Sequence, residues 1–212
     1  MKLFGASISP FVRKVMAFAH EKGIELDLVR TSPGADLPEF RAASPFGKIP
    51  AFQDGDFAIS DSTAIITYLD AVKPEPNLIP LEPKARARTI WFEEFADTIL
   101  MGACGKILFN RFVAPKFLGM AGDAAVADAA ERDELPLALA YLERAIPASG
   151  HLVEDRITLA DLAVVSPLAS IALIGWTLDA AAFPKTAAFT GSILGRPCYA
   201  PVIAEEKAML GG

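Results

Sequence analysis

The sequence predicts an α/β domain followed by an all-helical domain, and three features support this fold class. Residues 1–72 alternate between short apolar runs and helical patterns, as α/β units do. A polar, proline-rich stretch at residues 73–83 then interrupts the pattern. After it, apolar residues recur at helical spacing and no segment alternates as a strand does. We therefore predict a first domain at residues 1–77 and a second at residues 84–212.

The first domain is predicted to have the element order β-α-β-α-β-β-α. Its first helix is indicated by Phe11, Val15 and Phe18 at helical spacing, and Gly23 supplies a stop. An Asp-Gly dipeptide at residues 54–55 favours a two-residue turn between the third and fourth strands. We predict strands at residues 2–6, 25–30, 49–52 and 57–59, and further helices at residues 37–43 and 61–72.

The second domain is predicted to be helical throughout. Thr158 followed three residues later by Asp161 is a capping-box pattern, and Ile157 and Leu162 flank it as a hydrophobic staple. This pattern marks the start of a helix that we expect to lie in the core. The predicted helices cover residues 84–113, 124–145, 159–175, 184–194 and 197–209.

Composition restricts the classes of function that the chain can have. With 212 residues, 52% hydrophobic and 22% charged, the chain can bury a substantial core and is not of the disordered class. Its net charge of -6 disfavours binding to a polyanion, so we expect no nucleic-acid partner. The two cysteines and two histidines show no disulfide-framework or metal-ligand spacing, so we expect a reducing compartment and no metal.

Neither a secretion signal nor a membrane span is predicted. The amino-terminal residues lack the long apolar segment of a signal peptide. Residues 162–178 are uncharged, but they contain Pro167 and Gly175 and fall short of the ~20 residues that a span requires. We expect a buried core helix there and a cytoplasmic protein.

Two segments that could carry chemistry lie at the ends of predicted strands. Ser9 follows the first strand, although Ser before Pro10 is also an ordinary helix start. Pro50 precedes the third strand, and its peptide bond can be cis or trans. If it is cis, Ile49 would offer its backbone N–H and C=O to an extended peptide. The alternative is a tight turn with a solvated Lys48.

A third segment begins the last helix of the first domain. Asp61 and Ser62 offer a carboxylate, a hydroxyl and free backbone N–H groups, which suit the ammonium and carboxylate groups of a ligand. Helix capping alone would also explain both residues. The three segments all lie at strand ends of one small α/β domain, the usual place for a ligand on such a sheet. Together they predict one binding site.

These motifs resemble those of the glutathione transferase family, specifically its serine-type cytosolic members. The similar segments are Ser-Pro-Phe-Val-Arg-Lys-Val from Ser9, Pro-Phe-Gly-Lys-Ile-Pro ending at Pro50, and Ser-Asp-Ser-Thr-Ala-Ile-Ile from residue 60. Thr-Leu-Ala-Asp-Leu-Ala from Thr158 and Arg-Pro-Cys-Tyr from Arg196 extend the likeness over nearly the whole chain. The resemblance implies a thioredoxin-like first domain, an all-helical second domain, glutathione as cosubstrate, and a homodimer joining the first domain of one chain to the helical domain of the other.

The resemblance also implies roles for individual residues. Ser9 would hold the glutathione sulfur, although Ser7 lies close enough to compete for that role. Many relatives have Glu in place of Asp61, whose shorter side chain reaches less far. The implied glutathione contacts are Lys48 for the glycine carboxylate, Ile49 and Pro50 for the cysteinyl backbone, and Asp61 and Ser62 for the γ-glutamyl group.

The expected activity is attack of the glutathione thiolate on a hydrophobic electrophile. Because serine and not cysteine occupies the key position, mixed-disulfide chemistry is not expected. The same site could instead serve an isomerase, lyase or peroxidase that uses glutathione, or the chain could be a non-catalytic binding or regulatory module. An apolar wall for the electrophile is predicted at Phe11, Cys104, Leu108 and Phe112, although these side chains could equally be ordinary core.

Overall fold

The first domain has the predicted order of strands and helices. The computed structural model describes residues 1–210. Where an end was predicted with a residue number, the observed end lies within two residues of it, as expected where ends fray. The elements are β1 (Lys2–Gly5), α1 (Pro10–Glu21), β2 (Asp27–Arg30), α2 (Pro38–Ala43), β3 (Ala51–Asp54), β4 (Phe57–Ser60) and α3 (Ser62–Val72).

The four strands form one mixed sheet in the order β2-β1-β3-β4. Strand β1 runs parallel to β2 and antiparallel to β3, which is in turn antiparallel to β4. Leu3 pairs with Phe52, and both side chains enter the main core. Phe4 and Ala51 form the next pair and face the other side, where they pack with Phe40 of α2. The sheet therefore buries both faces, because side chains alternate along a strand.

The second domain is helical, as predicted. Within residues 84–210 no segment forms a strand. The predicted helices at 84–113 and 124–145 are each helical without a gap. Within them the α-helical hydrogen bonding changes to π-helical at Phe95–Leu100, Phe109–Val113 and Ala130–Glu134. The α-helices are α4 (Pro83–Glu94), α5 (Met101–Leu108), α6 (Ala114–Phe117), α7 (Ala124–Ala129), α8 (Leu135–Ala145), α9 (Leu159–Ala172), α10 (Pro184–Leu194) and α11 (Ala200–Leu210).

A connection without regular structure joins α3 to α4. It is held by Lys22, whose buried ammonium donates to the carbonyls of Lys73, Pro74 and Pro76. These three bonds and an ion pair with Asp70 satisfy a charge that would otherwise be costly to bury. The division into domains at 1–77 and 84–212 stays a prediction, and its last two residues lie outside the described range.

Helix α9 is the central helix of the second domain, and every residue from Leu159 to Ile171 is buried. Its start has the predicted cap: Asp161 Oδ2 accepts from the N–H of Thr158 at 2.8 Å, and Oδ1 accepts from Leu152 N–H at 2.8 Å. The prediction of a buried core helix is confirmed. In the part of the chain described here, no helix has both the length and the apolarity to cross a bilayer.

A buried ion cluster joins the first domain to the second. Lys14 of α1 is 1% exposed and donates to Glu93 of α4 at 2.9 Å and to Asp97 at 2.5 Å. Thr63 at the start of α3 donates to the same oxygen of Glu93 at 2.8 Å. Burial raises the pKa of the Asp97 carboxyl, and the charge of Lys14 opposes this shift. The cluster therefore fixes α1, α3 and α4 relative to one another.

We expect Lys14→Met to destabilise the protein by about 3–5 kcal/mol, because it leaves the Glu93 carboxylate buried without its cation. Urea unfolding followed by circular dichroism measures the change. Lys2→Met is the matched control, since Lys2 pairs with Glu39 at an exposed position, where such a pair contributes at most about 1 kcal/mol. Equal, small effects of the two substitutions would contradict the structural role assigned to the cluster.

Candidate active site

The register of the sheet brings the three predicted segments to one edge. Phe4 pairs with Ala51, and Ala51 pairs with Ser60, so the carboxyl ends of β1 and β4 lie beside the amino end of β3. The chain leaves this edge toward Ser9 after β1 and toward Asp61 after β4, and it enters from Pro50 before β3. Neighbouring strands are about 4.8 Å apart, so the row of three strands spans about 10 Å.

Ser9 is half-buried and stands directly before α1. Its backbone N–H donates to Ala6 C=O at 2.9 Å, and its C=O accepts from the N–H of Arg13 at 2.9 Å. Within residues 1–210 its hydroxyl makes no hydrogen bond, so it does not cap the helix. The hydroxyl is therefore available to a ligand, next to the positive end of a 12-residue helix. Ser7, two residues earlier in the same loop, is also half-buried.

The loop before β3 is held in place by its own hydrogen bonds. The Ile49–Pro50 peptide bond is cis, which answers the question that the sequence left open. Ser44 Oγ donates to Lys48 C=O at 2.7 Å, and Gly47 adopts a φ of 66°, a left-handed conformation that favours glycine. Among the described residues no hydrogen bond engages the N–H or C=O of Ile49. Its backbone is thus free to pair with an extended ligand.

Asp61 caps α3 and retains one free oxygen. Its Oδ1 accepts from the N–H groups of Thr63 at 2.9 Å and Ala64 at 3.1 Å. Capping therefore accounts for one carboxylate oxygen, and Oδ2 makes no hydrogen bond to any residue in the range 1–210. The backbone φ of 86° at Asp61 is unusual for a residue with a side chain, and such conformations concentrate at functional sites. Ser62 follows at the first helical position and is 3% exposed.

The four residues of the predicted apolar wall differ in accessibility. Phe11 is half-buried beside Ser9, whereas Cys104 is 1% exposed and belongs to the main core. Leu108 and Phe112 are 9% and 8% exposed, which leaves only part of each side chain for contact with a ligand. The wall stays a prediction, and Phe11 offers the largest surface to it.

Polar groups that were not predicted from the sequence lie behind the site. Thr63 follows Ser62 and donates to Glu93, which also accepts from Lys14. The second carboxylate oxygen of Glu93 is buried and has no partner within residues 1–210. The signal that could have revealed them is in α1, where Arg13 and Lys14 stand among apolar residues at positions that helical periodicity places inside.

The described residues contain no group of three His, Cys, Asp or Glu side chains that could hold a metal ion. The candidate site brings together the free hydroxyl of Ser9, the free backbone of Ile49, the exposed Lys48 and the capping carboxylate of Asp61. These groups suit an extended, zwitterionic peptide that carries a nucleophile beside the hydroxyl.

Comparison with known families agrees with this description. Residues 3–77 match the family described as glutathione S-transferase, N-terminal domain, and residues 100–197 match glutathione S-transferase, C-terminal domain. The chain is 30% identical over 210 residues to glutathione S-transferase 3 of Zea mays, with 96% of this chain and 93% of that protein covered. It is 31% identical over 211 residues to a glutathione S-transferase of Hyoscyamus muticus, with 96% and 97% covered.

Solved structures show the same similarity in three dimensions. Glutathione S-transferase I from maize, in complex with an atrazine glutathione conjugate, superposes with a TM-score of 0.85 at 27% identity. The superposition covers 97% of each chain. The likeness thus includes both domains.

We expect neither cysteine to react in the native protein at neutral pH. Burial raises the pKa of Cys104 and of Cys198 to about 12, so almost no thiolate is present. Incubation with a thiol-alkylating reagent and mass spectrometry measures this, with the urea-unfolded protein as the control in which both cysteines react. Rapid labelling of the folded protein would contradict the burial of these side chains and reopen cysteine chemistry.

Proposed function

Because the chain belongs to the glutathione S-transferase family, we propose that it transfers the sulfur of glutathione to a hydrophobic electrophile at the edge of the sheet. In this reaction the thiolate forms a carbon–sulfur bond and the leaving group departs with its bonding electrons. The observation that carries this assignment is the Ser9 hydroxyl, which stands at a helix start without capping it. In our proposal this hydroxyl donates a hydrogen bond to the sulfur anion.

The energy required for thiolate formation is modest. A thiol with a pKa of about 8.5 is roughly 3% ionised at pH 7, and a decrease of about two pKa units makes the thiolate dominant. Such a shift corresponds to about 2.7 kcal/mol of differential stabilisation. One or two hydrogen bonds to a charged acceptor supply about this amount, and the start of α1 adds a favourable field.

The size of the edge suits glutathione, which is a tripeptide. Three extended residues reach about 10 Å, close to the width of the row formed by β1, β3 and β4. In our proposal Ile49 pairs through its backbone with the cysteinyl residue, beside cis-Pro50. Lys48, which is exposed, meets the glycine carboxylate. The free oxygen of Asp61 and the helix start at Ser62 bind the γ-glutamyl group.

The electrophile would bind beside the sulfur, against the face that includes Phe11 and the accessible parts of Leu108 and Phe112. Cys104 lies deeper in the core and would support this wall from behind. Use of glutathione as a cofactor, in an isomerase, lyase or peroxidase, predicts that glutathione is regenerated or oxidised. Product analysis separates these activities from conjugation.

We also propose a cytoplasmic location, supported by two free cysteines.

We expect Ser9→Ala to lower turnover about twentyfold at pH 7, because the thiolate fraction falls from dominant to a few per cent. An ultraviolet titration of the thiolate in the glutathione complex measures the pKa, and conjugation of an activated aryl chloride measures turnover. The difference in turnover between Ser9→Ala and the wild type should shrink as the pH rises through the pKa of the free thiol.

Ser7→Ala is the matched control for this substitution, since Ser7 is a half-buried serine on the same loop. We expect it to leave both the thiol pKa and turnover within about twofold of the wild type. The reverse pattern, with loss on Ser7→Ala and none on Ser9→Ala, would assign the sulfur contact to Ser7.

We further propose that the protein is a homodimer in which the first domain of one chain contacts the helical domain of the other. Phe46, in the loop that carries Lys48, is 88% exposed, so nearly all of its ring is available for burial in a contact between chains. The helical domain has an apolar groove between α4 and α8, in which Trp91 donates to Tyr141 Oη at 2.9 Å. The groove is lined mainly by Trp91, Phe95, Ile99, Leu137, Ala138 and Tyr141.

The groove and the ring are complementary in chemistry. Leu137 is 73% exposed and Ile99 is 51% exposed, so the groove presents apolar surface to solvent in a single chain. A symmetric pair of chains would bury two such rings in two such grooves, because the same contact occurs twice across a two-fold axis.

We expect Phe46→Ala to weaken dimerisation by about a thousandfold in Kd, because two buried rings are lost and each contributes about 2 kcal/mol. Sedimentation velocity over a concentration series measures the equilibrium. Phe117→Ala is the control, since Phe117 is 64% exposed and outside the groove. A wild-type protein that is monomeric at micromolar concentration, or equal dimerisation of the two variants, would refute this interface.

A further inference from the structure

The buried guanidinium of Arg13 connects the loop that carries Ser9 to two helices of the second domain. Arg13 is 0% exposed, and its guanidinium contacts the Ile8 carbonyl, Ser170 of α9 and Glu206 of α11. We call Arg13, Ser170 and Glu206 the clasp. None of its side chains belongs to the proposed glutathione site.

Two donors of the clasp meet on the carbonyl oxygen of Ile8, the residue before Ser9. Arg13 Nη2 donates to it at 3.3 Å, and Ser170 Oγ lies 3.1 Å away. The Ser170 hydroxyl has one hydrogen and two nearby carbonyls, those of Ile8 and of Ser166 at 3.3 Å. The Ile8 carbonyl is the nearer of the two and its other donor, Arg13 Nη2, is the more distant, so we assign the Ser170 hydrogen to Ile8.

These bonds fix the peptide plane that precedes Ser9. The carbonyl of this plane belongs to Ile8 and is held by the clasp, and its N–H belongs to Ser9 and donates to Ala6. The next carbonyl, that of Ser9 itself, accepts from the N–H of Arg13. A peptide unit is planar, so fixing both sides of Ser9 fixes the direction of its Cα–Cβ bond. The hydroxyl then has only rotation about χ1 and about its C–O bond left.

Glu206 orients the guanidinium that makes these contacts. Its two carboxylate oxygens lie 3.4 Å from Nε and 2.9 Å from Nη2 of Arg13, in the two-pronged geometry that restricts a guanidinium plane. Glu206 is 2% exposed and is the buried residue of α11 within the described range. The contact spans 193 positions of sequence and joins α11 to α1.

We propose that Arg13, Ser170 and Glu206 are positioning residues, which aim the Ser9 hydroxyl at the glutathione sulfur and thereby lower the pKa of the bound thiol. This inference rests on the proposed function, in which Ser9 contacts the sulfur. A hydroxyl misplaced by a fraction of an ångström still leaves the peptide-binding groups of glutathione in place. Loss of the clasp therefore affects thiolate formation and turnover more than it affects the binding of glutathione.

The decisive variant is Ser170→Ala, which removes one donor to the Ile8 carbonyl without changing any charge. We expect the pKa of the bound thiol to rise by about half a unit to one unit and kcat at pH 7 to fall about 1.5-fold to threefold, in step with the thiolate fraction. The KM for glutathione should stay within about twofold of the wild type, and kcat should recover at a pH above both thiol pKa values.

Thr89→Val is the matched control, because Thr89 is also fully buried and bonds to a carbonyl four residues earlier, but far in sequence from the clasp. We expect it to lower the urea midpoint as Ser170→Ala does and to leave the thiol pKa unchanged. If both variants lose stability and neither changes the thiol pKa, the clasp is only structural and the proposal is wrong.

Glu206→Gln tests the charged half of the clasp, with Glu205→Gln on the exposed neighbouring position as its control. We expect kcat at pH 7 to fall about threefold to tenfold for the first, less than for Ser9→Ala, and to stay unchanged for the second. A lowered thiol pKa with unchanged kcat would mean that Arg13 acts through its charge and not through Ser9, which overturns the proposal. If Glu206→Gln does not fold, Ser170→Ala decides alone.

The wild-type titration separates this inference from the proposed function. If the wild type binds glutathione as a thiolate but Ser170→Ala has the wild-type pKa, only the clasp inference fails. If the wild type shows no bound thiolate at millimolar glutathione, the proposed function and the clasp inference both fail.

Discussion

Helix α1 carries two consecutive buried cations, and the need to neutralise them determines how the two domains fit together. Arg13 and Lys14 are 0% and 1% exposed, and the carboxylates that pair with them come from the helical domain. An isolated buried charge costs several kcal/mol even after relaxation, so the first domain cannot bury α1 without its partners. The sequence pattern therefore separates the two domains, but the stability of the first domain depends on carboxylates of the second.

The candidate site draws its order from two independent sources. The register of the sheet fixes which strand ends lie side by side, and it does so through main-chain bonds that are largely independent of the side chains. Two of the three segments are also held by contacts from behind, those of Thr63 with Glu93 and of the Ile8 carbonyl with Ser170. In our proposal the sheet edge binds the peptide and the helical domain orients the Ser9 hydroxyl.

The fold could be predicted from the sequence because its determinants are local. Alternating apolar runs, the break at the prolines and the Thr158–Asp161 cap each depend on residues a few positions apart, and the structure confirms them. The roles given to the site residues come from motif resemblance and stay a prediction, whereas the common edge of their three segments follows from the sheet order. The ion partners could not be predicted, because Arg13 meets Glu206 across 193 positions and nothing local marks that pairing. The π-helical turns and the isomer at Pro50 likewise depend on packing.

Buried polar networks need an explanation other than stability. Replacing a buried ion pair with apolar side chains of similar volume is often neutral or stabilising, so the pair between Arg13 and Glu206 is weak evidence of a stabilising role. Helix α9 is otherwise almost entirely apolar, and it meets this pair through the backbone carbonyl of Ser166 and the hydroxyl of Ser170. An apolar core could hold the helices together equally well, but it has no donor for the Ile8 carbonyl. We therefore assign the network a positioning role: it holds the peptide plane between Ile8 and Ser9, and through it the Ser9 hydroxyl, at the start of α1.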